Sequence, residues 1–198
     1  MSLHDVLDKV LDSRDATVGG GAASAIAGAM AAGLAGMVAR LSPGRNCGLT
    51  DERYLSLAEE LDFLAGELSL GAQEDERAFL GIKGAFALPK DTEEARVARR
   101  GAVEAAAIIA AEVPLENGRR ALRILEICAE LEGRSNPAAG SDIAAGRMLA
   151  RMAAADCALN VEANLPLIKD VPSRDRLRKA AAELKETAAS RGSLAPEA

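Results

Sequence analysis

The chain has 198 residues, 49% hydrophobic but only 2% aromatic and without Trp, and a formal net charge of −6. That length suits one large domain, and a core built from Ala, Leu, Ile, Val and Met on closely approaching backbones favours helices over sheets. The acidic balance has no basic stripe set against it, which excludes nucleic-acid binding through phosphate neutralisation; an anionic ligand must meet a local group of Arg or Lys.

In chain order, a first helix is expected from about Ser2, where Ser2 and Asp5 have capping-box spacing and Leu3, Val6, Leu7, Val10 and Leu11 form an apolar face. No basic or apolar targeting region precedes it. A second helix runs from Gly19-Gly20-Gly21 to about Leu41 and stops at Ser42-Pro43-Gly44. Its Ala23, Ala27, Ala31, Ala35 and Ala39 recur every four residues beside Ser24, Gly28, Ala32 and Gly36, so neighbouring helices can approach closely and this helix is expected at the centre. The uncharged stretch from Val18 to Ala39 is long enough to span a bilayer, but Gly and Ala dominate it, so a buried bundle helix is expected instead.

A long third helix is expected from Thr50 toward Ala85, ending before Leu88-Pro89. A fourth spans about Asp91 to Glu112 with Asp91 as N-cap, and a fifth runs from Pro114 to Glu132, closed by Gly133. A sixth extends from Asn136 or Ser141 to about Leu165 and a seventh from Ser173 to about Ala189, leaving Gly192 to Ala198 as a frayed tail. The expectation is an all-α, single-domain bundle of about seven helices over residues 1–191, with no linker or tandem repeat.

His4, the only histidine, falls on the polar side of the first helix, which removes Ser-His-Asp and Cys-His arrangements. Cys47, Cys128 and Cys157 are odd in number and lack metal-ligand spacing, pointing to a reduced, cytoplasmic setting and no metal site. Asp, Glu, Lys, Tyr and Cys are left as the possible acids and bases. Asp75 is the most informative carboxylate, because it falls on the apolar seam Leu61, Leu64, Leu68, Ala72, Phe79 and Ile82 of the third helix. Partial burial would raise its pKa toward neutrality; an Arg partner across the interface, or a seam that emerges into solvent, would also account for it. Arg134 to Asp142 forms a polar connection in which Asn136 or Ser141 can cap a helix. Asn160 and Asn164 share a largely apolar stripe with Ala153, Cys157 and Leu167, so their amides need a ligand or a neighbouring helix. The glycine triplet can set backbone N–H groups against a ligand, but fits neither a P-loop nor a dinucleotide fingerprint.

Taken together, these pieces resemble the formiminotetrahydrofolate cyclodeaminases and methenyltetrahydrofolate cyclohydrolases. The resemblance runs from about Leu3 to Leu184, through the glycine triplet, Glu74-Asp75-Glu76-Arg77-Ala78-Phe79, Leu88-Pro89-Lys90, Val113-Pro114-Leu115, Ser135-Asn136-Pro137 with Ser141-Asp142, and Asn160-Val161-Glu162-Ala163-Asn164. It implies a helical homodimer that acts on a tetrahydrofolate one-carbon adduct with no metal and no tightly bound cofactor. Asp75 would be the acid-base group, with Asp142 either assisting it or hydrogen-bonding the pterin; Gly19, Gly20, Gly21, Asn136, Asn160 and Asn164 would line the folate site with Asp142, and Arg134 or Lys169 would meet the glutamate tail. Analogy with stand-alone members favours the cyclohydrolase; the cyclodeaminase and a non-catalytic folate-binding or scaffold dimer are the alternatives. Ala16-Thr17-Val18 stands where the family often has proline before the triplet.

Overall fold

The computed structural model describes residues 3–191; Ser2, expected as a cap, and the expected tail from Gly192 onward lie outside the described residues. The elements are α1 (Leu3–Leu11), α2 (Gly20–Arg40), α3 (Asp51–Phe86), α4 (Glu93–Leu131), a 3-10 turn Pro137–Ala139, α5 (Gly140–Asn164), a second 3-10 turn Leu165–Leu167, and α6 (Val171–Arg191), with no strand among the described residues.

α2 packs on α3, α4 and α5 and so takes the central place that its small residues predict. Ala22, Ala25, Ala31, Ala35, Val38 and Ala39 have no exposed surface. α5 comes so near that a Cβ on Gly146 would lie 3.3 Å from the Ala31 carbonyl oxygen. α2 is long and apolar enough to cross a membrane, with mean hydropathy 1.7, yet 67% of that window is buried inside the bundle.

Among the described residues six α-helices form rather than seven, because the expected fourth and fifth are one continuous helix, α4, with Pro114 inside it. Proline in a helix interior removes an N–H, strands the carbonyl four residues earlier and costs ~3 kcal/mol or more, which is why the sequence reads as a break. Here the stranded carbonyl belongs to Ala110, and Asn164 Nδ2 on α5 donates to it at 3.0 Å. A side chain distant in sequence supplies what the proline removed. Thr92, not Asp91, caps α4, its hydroxyl accepting from the Ala95 N–H at 3.1 Å. At the other end Gly133 takes φ +69°, as a glycine closing a helix does.

α3 and α4 form a long antiparallel pair whose edge is fixed by three ion pairs: Arg53 with Glu130 at 2.7 Å, Arg123 with Glu60 at 2.6 Å and Arg120 with Glu67 at 2.8 Å. The α3 members recur every seven residues, so they lie on one stripe. The Arg123 guanidinium holds the Glu60 carboxyl below the usual carboxylate range. α1 is the least embedded helix, holding to α3 through buried Val6 and through Lys9 Nζ, which donates to buried Glu76 at 2.5 Å. That contact anchors the approach to the glycine triplet.

Candidate active site

The N-terminus of α2 opens onto a cleft of about 280 Å³ bounded by Thr17 to Gly21, Asp75 and Phe79 of α3, Ala110 of α4, and Asn160 and Asn164 of α5. Its size is near the lower end of small-molecule sites, roughly 300–1,000 Å³. A helix leaves its first N–H groups without internal partners, so the triplet brings donors to this wall. Gly19 occupies the N-cap position, where no side chain bonds back.

Asp75 lies against that helix end. Its seam runs buried through Leu61, Leu64, Leu68 and Ala72 and emerges at Phe79, which is 39% exposed, so the carboxyl is half-buried at the cleft edge. The Asp75 carboxyl rises from its ordinary 3.8 to about 6, mainly through burial; the Ala22 N–H bonded to it pulls the other way, and the Asp156 charge adds to the rise. Gly21 is what lets Asp75 sit here, since a Cβ at that position would lie 2.2 Å from Asp75 Oδ1. No Arg pairs with Asp75 among the described residues, in contrast to the charged groups along the α3–α4 edge.

Asp156 escaped the sequence reading. It stands one turn before Asn160 on α5, and Ser24 Oγ of α2 lies 2.5 Å from its Oδ2 and 2.8 Å from the Gly20 carbonyl oxygen. Asn160 Nδ2 donates to the Asp156 carbonyl at 2.9 Å and to Oδ2 at 3.1 Å. Asn164 Nδ2 donates to the carbonyls of Ala110 and Asn160 at 3.0 and 2.9 Å. The spacing 156, 160, 164 was a usable signal, because residues four apart share a helix face.

The structure brings together Gly19, Gly20, Gly21, Asp75, Asn160 and Asn164. It places Arg134, Asn136 and Asp142 elsewhere. Buried Asn136 caps the first 3-10 turn, Oδ1 accepting from Ala138 N–H at 3.1 Å, while its own N–H donates to Ser42 Oγ at 2.9 Å, beyond the C-terminal end of α2. The cleft is at the other end of that helix, about 30 Å away at ~1.5 Å per residue. Asp142 sits half-buried in the first turn of α5, where a carboxylate suits the helix dipole, about 27 Å along that helix from Asn160 at the same rise. Arg134 is exposed and gives its carbonyl to the Tyr54 hydroxyl at 2.6 Å. Lys169 lines a second groove with Phe86, Arg99, Arg100 and Glu104; Phe79, Ile82 and Phe86 follow one another along α3, so this groove continues the line of the cleft.

His4 is exposed and pairs with Asp8 at 3.6 Å. Burial pushes the Cys128 and Cys157 thiols up to about 12, so neither is a nucleophile. What the cleft offers chemically is a carboxyl poised near neutrality, a second carboxylate behind it, two amides and a helix N-terminus.

An all-helical bundle with a carboxylate-centred cleft is the class these features define. The chain belongs to the formiminotransferase-cyclodeaminase family, whose model matches residues 2–183. It is 30% identical over 174 residues to the methenyltetrahydrofolate cyclohydrolase of Methylorubrum extorquens, a match covering 86% of this chain and 84% of that one. It is 27% identical over 183 residues to the formimidoyltransferase-cyclodeaminase of Rattus norvegicus, covering 92% of this chain but 34% of that longer protein. The crystal structure of formiminotetrahydrofolate cyclodeaminase from Thermotoga maritima aligns with a TM-score of 0.83 at 25% identity, over 97% of this chain and 92% of that one.

Proposed function

We propose that the cleft hydrolyses 5,10-methenyltetrahydrofolate to 10-formyltetrahydrofolate, with Asp75 moving the protons. The observation that carries this is the Asp75 carboxyl, half-buried against the N-terminus of α2 and lifted to about 6, in a chain that matches a cyclohydrolase over most of both lengths. Ionised Asp75 takes a proton from water as the water oxygen bonds to the bridging carbon. The neutral adduct then breaks its bond to N5, Asp75 returns its proton to N5, and the adduct hydroxyl releases its own proton to solvent as the formyl group forms. Gly20 and Gly21 N–H groups orient the water or the developing oxygen, and Phe79 and Ile82 supply the apolar wall for the ring system. The carbon–oxygen bond that forms and the carbon–N5 bond that breaks are each assisted by a proton transfer through Asp75, and the proposed route calls on no metal.

The second reading is ring closure of 5-formiminotetrahydrofolate with loss of ammonia, favoured by the structural match to the Thermotoga maritima cyclodeaminase. Asp75 would then carry a proton from N10 to the leaving nitrogen. Loss of the near-ultraviolet absorbance of 5,10-methenyltetrahydrofolate on mixing with the protein supports hydrolysis; appearance of that absorbance from the formimino compound supports ring closure. If neither occurs but folate binds, the non-catalytic alternative takes their place.

Lys169, with Arg99 and Arg100 in the adjoining groove, is the proposed contact for the glutamate tail. Arg134 and Asp142 enter the site only through a cytoplasmic homodimer in which one protomer's α5 N-terminus faces its partner's cleft. Exposed Met30 and Met37 on α2, Leu41 at its C-cap, and Met148 and Met152 on α5 give such a dimer apolar surface to cover.

A further inference from the structure

The two asparagines of the cleft are locked in one amide orientation. Asn164 Nδ2 donates to the Ala110 and Asn160 carbonyls, and Asn160 Nδ2 to the Asp156 carbonyl and carboxylate. A backbone carbonyl oxygen can only accept, so in each side chain the NH₂ group must face these partners and the opposite orientation would set oxygen against oxygen. Both Oδ1 atoms are thereby left over. Neither meets a donor among the described residues, neither is a buried orphan, and both side chains line the cleft.

Pro114 strengthens the Asn164 half of this arrangement. With an N–H at position 114 the Ala110 carbonyl would already be satisfied inside α4 and its pull on the Asn164 amide weakened, leaving the Asn160 carbonyl as the chief hold; with proline Asn164 is the donor that the Ala110 carbonyl has in place of the missing one. We propose that Asn160 and Asn164 form a paired acceptor that selects ligands presenting an edge of N–H donors, and that Pro114 is a positioning residue that holds the Asn164 half of the pair. The amino-pyrimidine edge of a pterin, with its exocyclic NH₂ and ring N–H, has this character, a match that rests on the folate function proposed above. The triplet side of the cleft has the opposite polarity, with backbone N–H groups, so one ligand edge is read by acceptors and the other by donors.

The test measures binding of 5-formyltetrahydrofolate and of its 2-desamino analogue to the full chain by calorimetry. Wild-type protein is expected to prefer the amino compound by about tenfold or more, as a lost buried hydrogen bond implies. Asn160→Ala and Asn164→Ala are expected to bring that ratio close to one. Asn160→Ala keeps the test open if Asn164→Ala fails to fold, because the Asn160 amide bonds only within its own helix. Pro114→Ala is expected to fold, to weaken binding of the amino compound by roughly three- to tenfold and to shrink the ratio; in Pro114→Ala/Asn164→Ala it is expected to have no further effect, the non-additivity that marks a shared unit. A purely structural proline would change the melting temperature and leave the ratio intact. Wild-type indifference to the amino group, or a ratio that survives both asparagine substitutions, overturns the paired acceptor; additive effects overturn the role of Pro114. Failure of wild-type protein to bind either compound removes the folate function and this assignment together.

Discussion

Because burial lifts the Asp75 carboxyl from 3.8 to about 6, the folded chain holds more protons there than the unfolded chain between those two values. The stability contributed at this position therefore falls as pH rises through that window, and above it the native state carries a penalty of ~3 kcal/mol at about 1.4 kcal/mol per pH unit. Asp75→Asn keeps an acceptor for the Ala22 N–H and loses the charge. It is expected to melt several degrees above wild type at pH 8, with the gain vanishing by pH 4; thermal melts at the two values check this, and an unchanged or lowered melting temperature at pH 8 would refute burial as the cause. Gly21→Ala sets a Cβ 2.2 Å from Asp75 Oδ1, and the short carboxylate side chain must swing aside. Turnover is expected to drop about 10²-fold or more as the general acid-base group is lost, with the helical circular dichroism unchanged. Asp75 was legible in the sequence because a carboxylate on an apolar seam breaks a local pattern. Asp156 was legible only as the carboxylate one turn before Asn160; its partner Ser24 lies on another helix, and only folding brings the two together.

At the scale of elements, the helices were legible from their apolar periodicity and their breakers; the third was expected from Thr50, and there the Thr50 hydroxyl caps it, accepting from the Arg53 N–H at 3.2 Å. The continuity of α4 was not, because a local rule treats Pro114 as a break and the compensating donor comes from Asn164, fifty positions away. Sequence periodicity is also silent on close approach. Gly71 on α3 faces Asn117 on α4, which has no exposed surface, and a Cβ on Gly71 would lie 2.0 Å from Asn117 Oδ1. Since both helices are held in register by the Arg–Glu edge, Gly71→Ala is expected to destabilise the chain by ~1–3 kcal/mol through overpacking. Denaturant unfolding of the pure variant measures this; a stability equal to wild type would mean that the helices slide freely.

For the molecule as a whole, the sequence conveyed a helical bundle with a small-residue centre, and the resemblance conveyed its family. Neither could convey that the expected site residues divide between two ends of α2, because separation along a helix becomes distance only once the helix is continuous. Asp75, Asn160 and Asn164 lie at one end, and Asn136 and Asp142 at the other. Under the homodimer proposed here, Asp75→Asn and Asp142→Asn are each expected to be impaired alone and to regain part of their activity when mixed and refolded, as one intact cleft forms per mixed dimer. Absence of recovery in a mixture shown by light scattering to be dimeric would leave Asp142 outside the site.

The central claim is that Asp75 carries turnover. The most direct measurement is the initial rate of absorbance loss from 5,10-methenyltetrahydrofolate, above the uncatalysed rate, for wild type and Asp75→Asn between pH 5 and 8. The proposed mechanism predicts a wild-type kcat/KM that rises with pH through an apparent pKa of about 6, and a variant that is folded yet slower by ~10²–10⁴-fold. A pH-independent wild-type rate, or near-normal turnover in Asp75→Asn, would contradict it.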